Sequence, residues 1–98
     1  MKIYWTPTAK ATYLRIINYL EISWTSKEVN NFMDEVDSLL DQITLNPYMF
    51  EASRKKHNVR RGFVTKHTSL FYRVKPRKKV IELLVFWNNR KYPGDLSY

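Results

Sequence analysis

The chain has 98 residues, 44% of them hydrophobic and 27% charged, a balance that supports one folded domain over residues 1–98 and excludes a disordered polypeptide. It contains no cysteine, which excludes disulfides and thiolate metal sites and fits a reducing, cytoplasmic setting. The formal net charge is +8 and unevenly spread: residues 1–51 carry four Lys/Arg against seven Asp/Glu, while residues 52–98 carry thirteen Lys/Arg against Glu82 and Asp95 alone. Solubility does not require such sorting, and a segregated positive field attracts a polyanion.

Residues 2–5 (KIYW) read as a short first strand with Ile3 inward. Thr6-Pro7 then opens a helix, because a threonine side chain caps the first turn and proline has no N–H to lose there. Ala9, Tyr13, Ile16, Ile17 and Leu20 recur at helical spacing and predict one apolar face. Residues 24–26 form the break. A second helix begins at the capping-box pattern Thr25-x-x-Glu28. Its stripe is Val29, Phe32, Met33, Val36, Leu39, Leu40 and Ile43, with Asp34, Glu35, Asp37 and Asp41 on the wet face. Asn46-Pro47 ends it. A short break between two apolar stripes implies a helical hairpin.

Residues 48–57 read as a loop ending in the basic run Arg54-Lys55-Lys56-His57. Residues 59–66 and 68–74 are two strands; in the latter Leu70, Tyr72 and Val74 share one face and Ser69, Phe71 and Arg73 the other. Residues 75–78, with Pro76, read as a turn. Residues 80–87 (VIELLVFW) are almost continuously apolar, as in a central strand with both faces partly covered. Residues 88–98 read as a polar tail. The expected fold is α+β, in the order β-α-α-β-β-β: an N-terminal strand and a two-helix antiparallel hairpin packed on a small antiparallel sheet.

Neither a membrane-spanning run nor a signal-peptide pattern is present, and Gly62 and Gly94 are too few for a phosphate-cradling loop. Two histidines without clustered carboxylates predict no metal site, and no cofactor motif occurs. The one constellation is basic. Arg54, Lys55, Lys56, Arg60, Arg61, Lys66, Arg73, Arg90 and Lys91 all come from the strand half or its flanks. If the last three strands are neighbours, Arg60, Arg61, Arg73 and Arg90 are expected to gather on a common surface or edge of the sheet. Tyr72, Trp87, Tyr92 and Tyr98 are interleaved with the cations. That mixture suits single-stranded nucleic acid, in which cations hold phosphates and rings stack on bases; for Tyr72 and Trp87 core packing is the expected role. Acid–base groups are few: His57 and His67 read as solvated surface groups, and Tyr92 or Tyr98 can donate a proton only if the tail folds back.

Three segments carry a resemblance to a known family. VRRGFVTKHTSLFYRV, residues 59–74, is similar to the strand pair of RelE/ParE toxins. IELLVFWNNRKYP, residues 81–93, resembles that family's last strand and its x-x-R-x-x-P ending, and KIYWTPTA, residues 2–9, its first strand and helix junction. The resemblance implies the toxin of a type II toxin–antitoxin system, blocked by a cognate antitoxin. It implies action either by ribosome-dependent mRNA cleavage, as in RelE-like members and the leading expectation, or by poisoning DNA gyrase without enzymatic activity, as in ParE-like ones. On this footing Arg90 matches the arginine that contacts the scissile phosphate, with Arg61 and Tyr92 as further catalytic candidates. Arg54, Lys55, Lys56, Arg60, Lys66, Arg73 and Lys91 are expected to hold nucleic acid. Ser69 departs from the pattern: RelE-like members carry an arginine there. The histidine–tyrosine ending of YoeB-like relatives is absent. The antitoxin is expected as an amphipathic, partly acidic segment laid over the basic sheet and the hairpin.

Overall fold

The computed structural model describes residues 1–90. Its elements are β1 (Lys2–Trp5), α1 (Pro7–Ser23), α2 (Ser26–Leu45), β2 (Val59–Thr65), β3 (Thr68–Lys75) and β4 (Val80–Asn88). Lys91, Tyr92 and Tyr98, expected from the sequence as candidate functional residues, lie outside the described residues.

Both helix starts follow their local chemistry. Thr6 Oγ1 accepts the Ala9 N–H at 3.1 Å and donates to the Leu83 carbonyl at 2.7 Å, so one side chain caps α1 and ties its start to β4. Pro7 occupies the first turn. At α2 the Glu28 carboxylate accepts the Thr25 N–H at 3.2 Å and also the Thr25 hydroxyl. The Thr25 hydrogen bond is the main reason the Glu28 carboxyl is held below its ordinary value.

The strands form one sheet in the order β1-β4-β3-β2. β2, β3 and β4 are antiparallel neighbours, as expected, and β1 adds to β4 in parallel. The parallel edge is possible because the whole helical hairpin lies in the connection after β1, long enough to cross over the sheet. α1 packs chiefly on β4 and α2 on β2. Between them the core gathers Ala9, Phe32, Val36, Leu39 and Ile43 from the helices and Leu70, Tyr72, Val74, Ile81, Leu83 and Phe86 from the sheet. Trp5 stacks on Phe86 at 5.6 Å, and Tyr13 meets both rings edge-on or tilted. Met33, expected in the apolar stripe of α2, is instead exposed.

The second face of the sheet has its own apolar group, Val59, Phe71 and Val85 with Leu84 and Trp87 beside them. A bulge in β4 makes this possible. Phe71 pairs with Val85 and Tyr72 with Leu83, leaving Leu84 as the extra residue. The inserted residue reverses the alternation, so Leu83 and Phe86 face the helices while Val85 and Trp87 face away. The continuous apolar run of residues 80–87 therefore serves two faces. Gly62 leaves room for Leu39 of α2 and for Phe50: a Cβ there would lie 3.2 Å from Leu39 Cδ1 and 3.3 Å from Phe50 Cε2.

Candidate nucleic-acid interface

Strand alternation separates Arg60 from Arg61. Arg60 pairs across the ladder with Tyr72, a residue of the helix-side core, whereas Arg61 pairs with Phe71 on the opposite face. The expected common surface for Arg60, Arg61, Arg73 and Arg90 is thus corrected: Arg60 lies on the helix side. There its Nη1 donates to the Phe50 carbonyl at 2.6 Å, and its guanidinium sits 5.0 Å from the Tyr48 ring. Beside it, the Tyr72 hydroxyl donates to the Pro47 carbonyl at 2.8 Å. Together these two side chains fasten the segment after α2 to the sheet. Burial pushes the Tyr72 hydroxyl up to about 12, against the opposing pull of the Arg60 charge. Core packing, expected for Tyr72, is what the structure shows, since the side chain is fully buried.

Arg61 is held differently. Its Nε donates to Ser69 Oγ at 2.9 Å and its Nη2 to Asn89 Oδ1 at 2.8 Å, and Ser69 Oγ itself donates to Asn89 Oδ1 at 2.6 Å. The guanidinium carbon lies 5.0 Å from the Phe63 ring and 5.6 Å from the Phe71 ring. Asn89 is fixed in turn: its Nδ2 donates to the Lys66 carbonyl at 3.2 Å and its N–H to the His67 carbonyl at 2.9 Å. This triad fastens the end of β4 to the β2–β3 turn. Arg61 meets no carboxylate among the described residues. Arg61 lines a cleft of about 260 Å³ together with Phe50, Glu51, Ala52, Ser53, Phe63 and Phe71. A planar cation pinned along its Nε–Nη2 edge, with Glu51 in the cleft wall but in no ion pair with it, keeps Nη1 donors that can grip an oxyanion.

Among the described residues, the other cations of the strand half lie toward the two ends of the sheet or on the loop before β2. At one end Lys66 and His67 form the β2–β3 turn, exposed, and Arg90 follows β4, exposed, its N–H donating to Asn88 Oδ1 at 2.9 Å. At the other end Arg73 and Lys75 share Glu82, at 3.7 and 3.1 Å. Lys56 joins them around a groove also lined by His57, Arg77 and Lys78. Arg54 and Lys55 are exposed on the preceding loop. Sequence reasoning missed Ser69 and Asn89 as partners of Arg61. Ser69 was read only as a departure from a pattern, yet the pairing of Phe63 with Ser69 beside that of Arg61 with Phe71 makes it a diagonal neighbour of Arg61. It also missed the basic turn after β3, although the run K-P-R-K-K stands plainly in the sequence.

A parallel edge strand, a helical hairpin and an antiparallel three-stranded core with cations toward both ends define a small basic α+β protein. The profile of the ParE toxin of type II toxin–antitoxin systems matches residues 3–92, and the chain belongs to that family. Membership implies a cognate antitoxin partner. Among solved structures it is similar to a chain of the chromosomal ParDE toxin–antitoxin system from P. aeruginosa, with TM-score 0.70 and 19% identity over 90% of this chain and 95% of that one. It is also similar to the YoeB/ParE toxin from Agrobacterium tumefaciens, with TM-score 0.70 and 14% identity over 91% and 99% of the two chains. At these identities the likeness is one of fold. No curated protein sequence matches. No helix among the described residues is long and apolar enough to cross a membrane.

Proposed function

We propose that this chain is a growth-arresting toxin that acts in the cytoplasm by binding and poisoning DNA gyrase, and that its antitoxin covers the basic sheet with a partly acidic segment. The observation that carries the choice of target is Ser69. RelE-like nucleases place an arginine at that position, whereas here it is a fully buried serine that braces Arg61 against Asn89. A cation that would reach a scissile phosphate is replaced by a hydroxyl turned into the protein. The ParE family match is compatible with the same reading.

Ribosome-dependent mRNA cleavage is the second reading, and one feature favours it. Arg61 is held in place with donors to spare at a cleft, and a preorganised cation at developing charge is an effective stabiliser of a phosphoryl transition state. Arg90, with Tyr92 as acid, would complete such a site. Controlled expression separates the two. Gyrase poisoning yields double-strand DNA breaks and an SOS response with transcript ends unchanged. New transcript ends within seconds of induction, without DNA breaks, would replace the first reading by the second.

A further inference from the structure

The densest group of cations lies away from the Arg61 cleft, which holds Arg61 and Glu51. At the opposite end of the sheet, the loop before β2 and the β3–β4 turn enclose a groove of about 580 Å³. Its walls are Lys56, His57 and Asn58 on one side and Arg73 through Lys78 on the other. We propose that this groove is a separate binding site for the phosphodiester backbone of a nucleic acid, read by charge and not by sequence.

Four observations carry it. First, Lys56, Arg77 and Lys78 are exposed on the rim and meet no carboxylate among the described residues. Second, two of the lining cations share an ion-pair partner. Glu82 bridges Arg73 and Lys75, which holds both in place while neutralising only one of their two charges. Third, of the two non-glycine residues with positive φ among the described residues, Asn58 at 61° lines the groove and Lys79 at 55° directly follows its last lining residue, Lys78. Backbone in that region is costly for a side chain with a Cβ, and such positions tend to collect where a chain must present groups in a set direction. Asn58 is integrated in the fold, its carbonyl accepting the Val74 N–H at 3.0 Å. Fourth, the groove is lined by no Phe, Tyr or Trp among the described residues, and its one ring is the His57 imidazole. Stacking on large aromatic side chains is the usual source of single-strand preference, so a group of cations with a single imidazole among them favours phosphate contacts. The site does not rest on the choice between gyrase and mRNA.

The test uses the purified full chain and two triple variants matched in charge. K56Q/R77Q/K78Q removes the rim of the groove, and K10Q/R15Q/K27Q removes three exposed cations from α1 and α2. All six positions are on the surface, and unchanged circular dichroism and melting temperature confirm folding. Binding to a fluorescent 20-base-pair DNA duplex and to a 20-nucleotide single-stranded RNA is measured from 50 to 200 mM salt. Each lost phosphate contact makes the slope of log K against log salt shallower by about 0.9 for duplex DNA and about 0.7 for a single strand. Loss of two or three contacts means that the unmodified chain forfeits roughly 10- to 40-fold more duplex affinity over that salt range than the groove variant does. The proposal predicts this shallower slope and weaker binding for the groove variant, with the helix variant close to the unmodified chain. The oligonucleotide held more tightly identifies the backbone the groove serves. Equal losses in the two variants would show a diffuse charge effect and overturn the site. So would unchanged oligonucleotide binding in the groove variant together with lost binding to poly-glutamate, which would assign the groove to an acidic protein segment.

Discussion

Ser69 Oγ stands 2.9 Å from Arg61 Nε, across the β2–β3 ladder, and the serine side chain is wholly buried there. The pair turns a mobile surface cation into a fixed one. With Asn89 as the third member, it also couples the direction of the chain after β4, where Arg90 begins, to the β2–β3 turn.

Replacing Ser69 by alanine removes both the acceptor for Arg61 and the donor to Asn89. Hydrogen bonds to a charged partner contribute about 1.5–3 kcal/mol, and a half-buried guanidinium regains part of this from water, so a loss of about 1–2 kcal/mol is expected. Urea denaturation with an unchanged m-value measures it. Growth arrest should weaken in step, because Arg61 then loses its orientation at the cleft; full toxicity in S69A would show that Arg61 orientation is irrelevant to the target.

Arg60 and Arg61 should behave differently when truncated. R60A leaves the Phe50 carbonyl without its donor and removes the ring contact with Tyr48. The expected cost is about 2 kcal/mol, with faster amide hydrogen exchange in residues 46–53. R61A should cost less stability and abolish growth arrest. Antitoxin binding by R61A, followed by co-purification, should persist.

Tyr72 makes stability depend on pH in the alkaline range. Its hydroxyl is raised to about 12 in the folded chain, mainly by burial, against about 10 unfolded. Below pH 10 both states hold the proton and the full contribution is present. Between pH 10 and 12 the unfolded chain ionises while the folded one does not, so stability falls, by up to about 2 kcal/mol. Y72F should lack this fall while losing about 1 kcal/mol at neutral pH from the missing bond to Pro47. Parallel alkaline unfolding curves for the two proteins would contradict the assignment.

Gly62 should resist even a methyl group. An added Cβ meets Leu39 and Phe50 at 3.2–3.3 Å, closer than comfortable packing allows. Overpacking costs about 1–3 kcal/mol, only partly offset by the reduced freedom of the unfolded chain. A thermal melt of G62A should show a lower midpoint, and L39A should partly restore it in the double variant, which a backbone effect alone would not produce.

The local elements were legible along the chain because their causes are local. Thr6-Pro7 and Thr25-x-x-Glu28 mark the helix starts through hydrogen bonds that span three residues. Alternation in residues 68–74 put Leu70, Tyr72 and Val74 on one face. The same alternation already required Arg60 and Arg61 to part, and the expectation of a shared surface overlooked it. Which of the two faces the helices cover depends on pairing, and so does the brace at Ser69. The β4 bulge, the parallel addition of β1 and the meeting of Lys56 with the β3–β4 turn join residues far apart in the chain. Such contacts are selected by the packing of the whole sheet against the hairpin, and a one-residue shift in register exchanges the faces of every side chain on a strand. The sequence by itself therefore determined the elements, the sign of the charge and the family; the tertiary structure alone decided which cations are fixed, which are paired and at which end of the sheet each is presented.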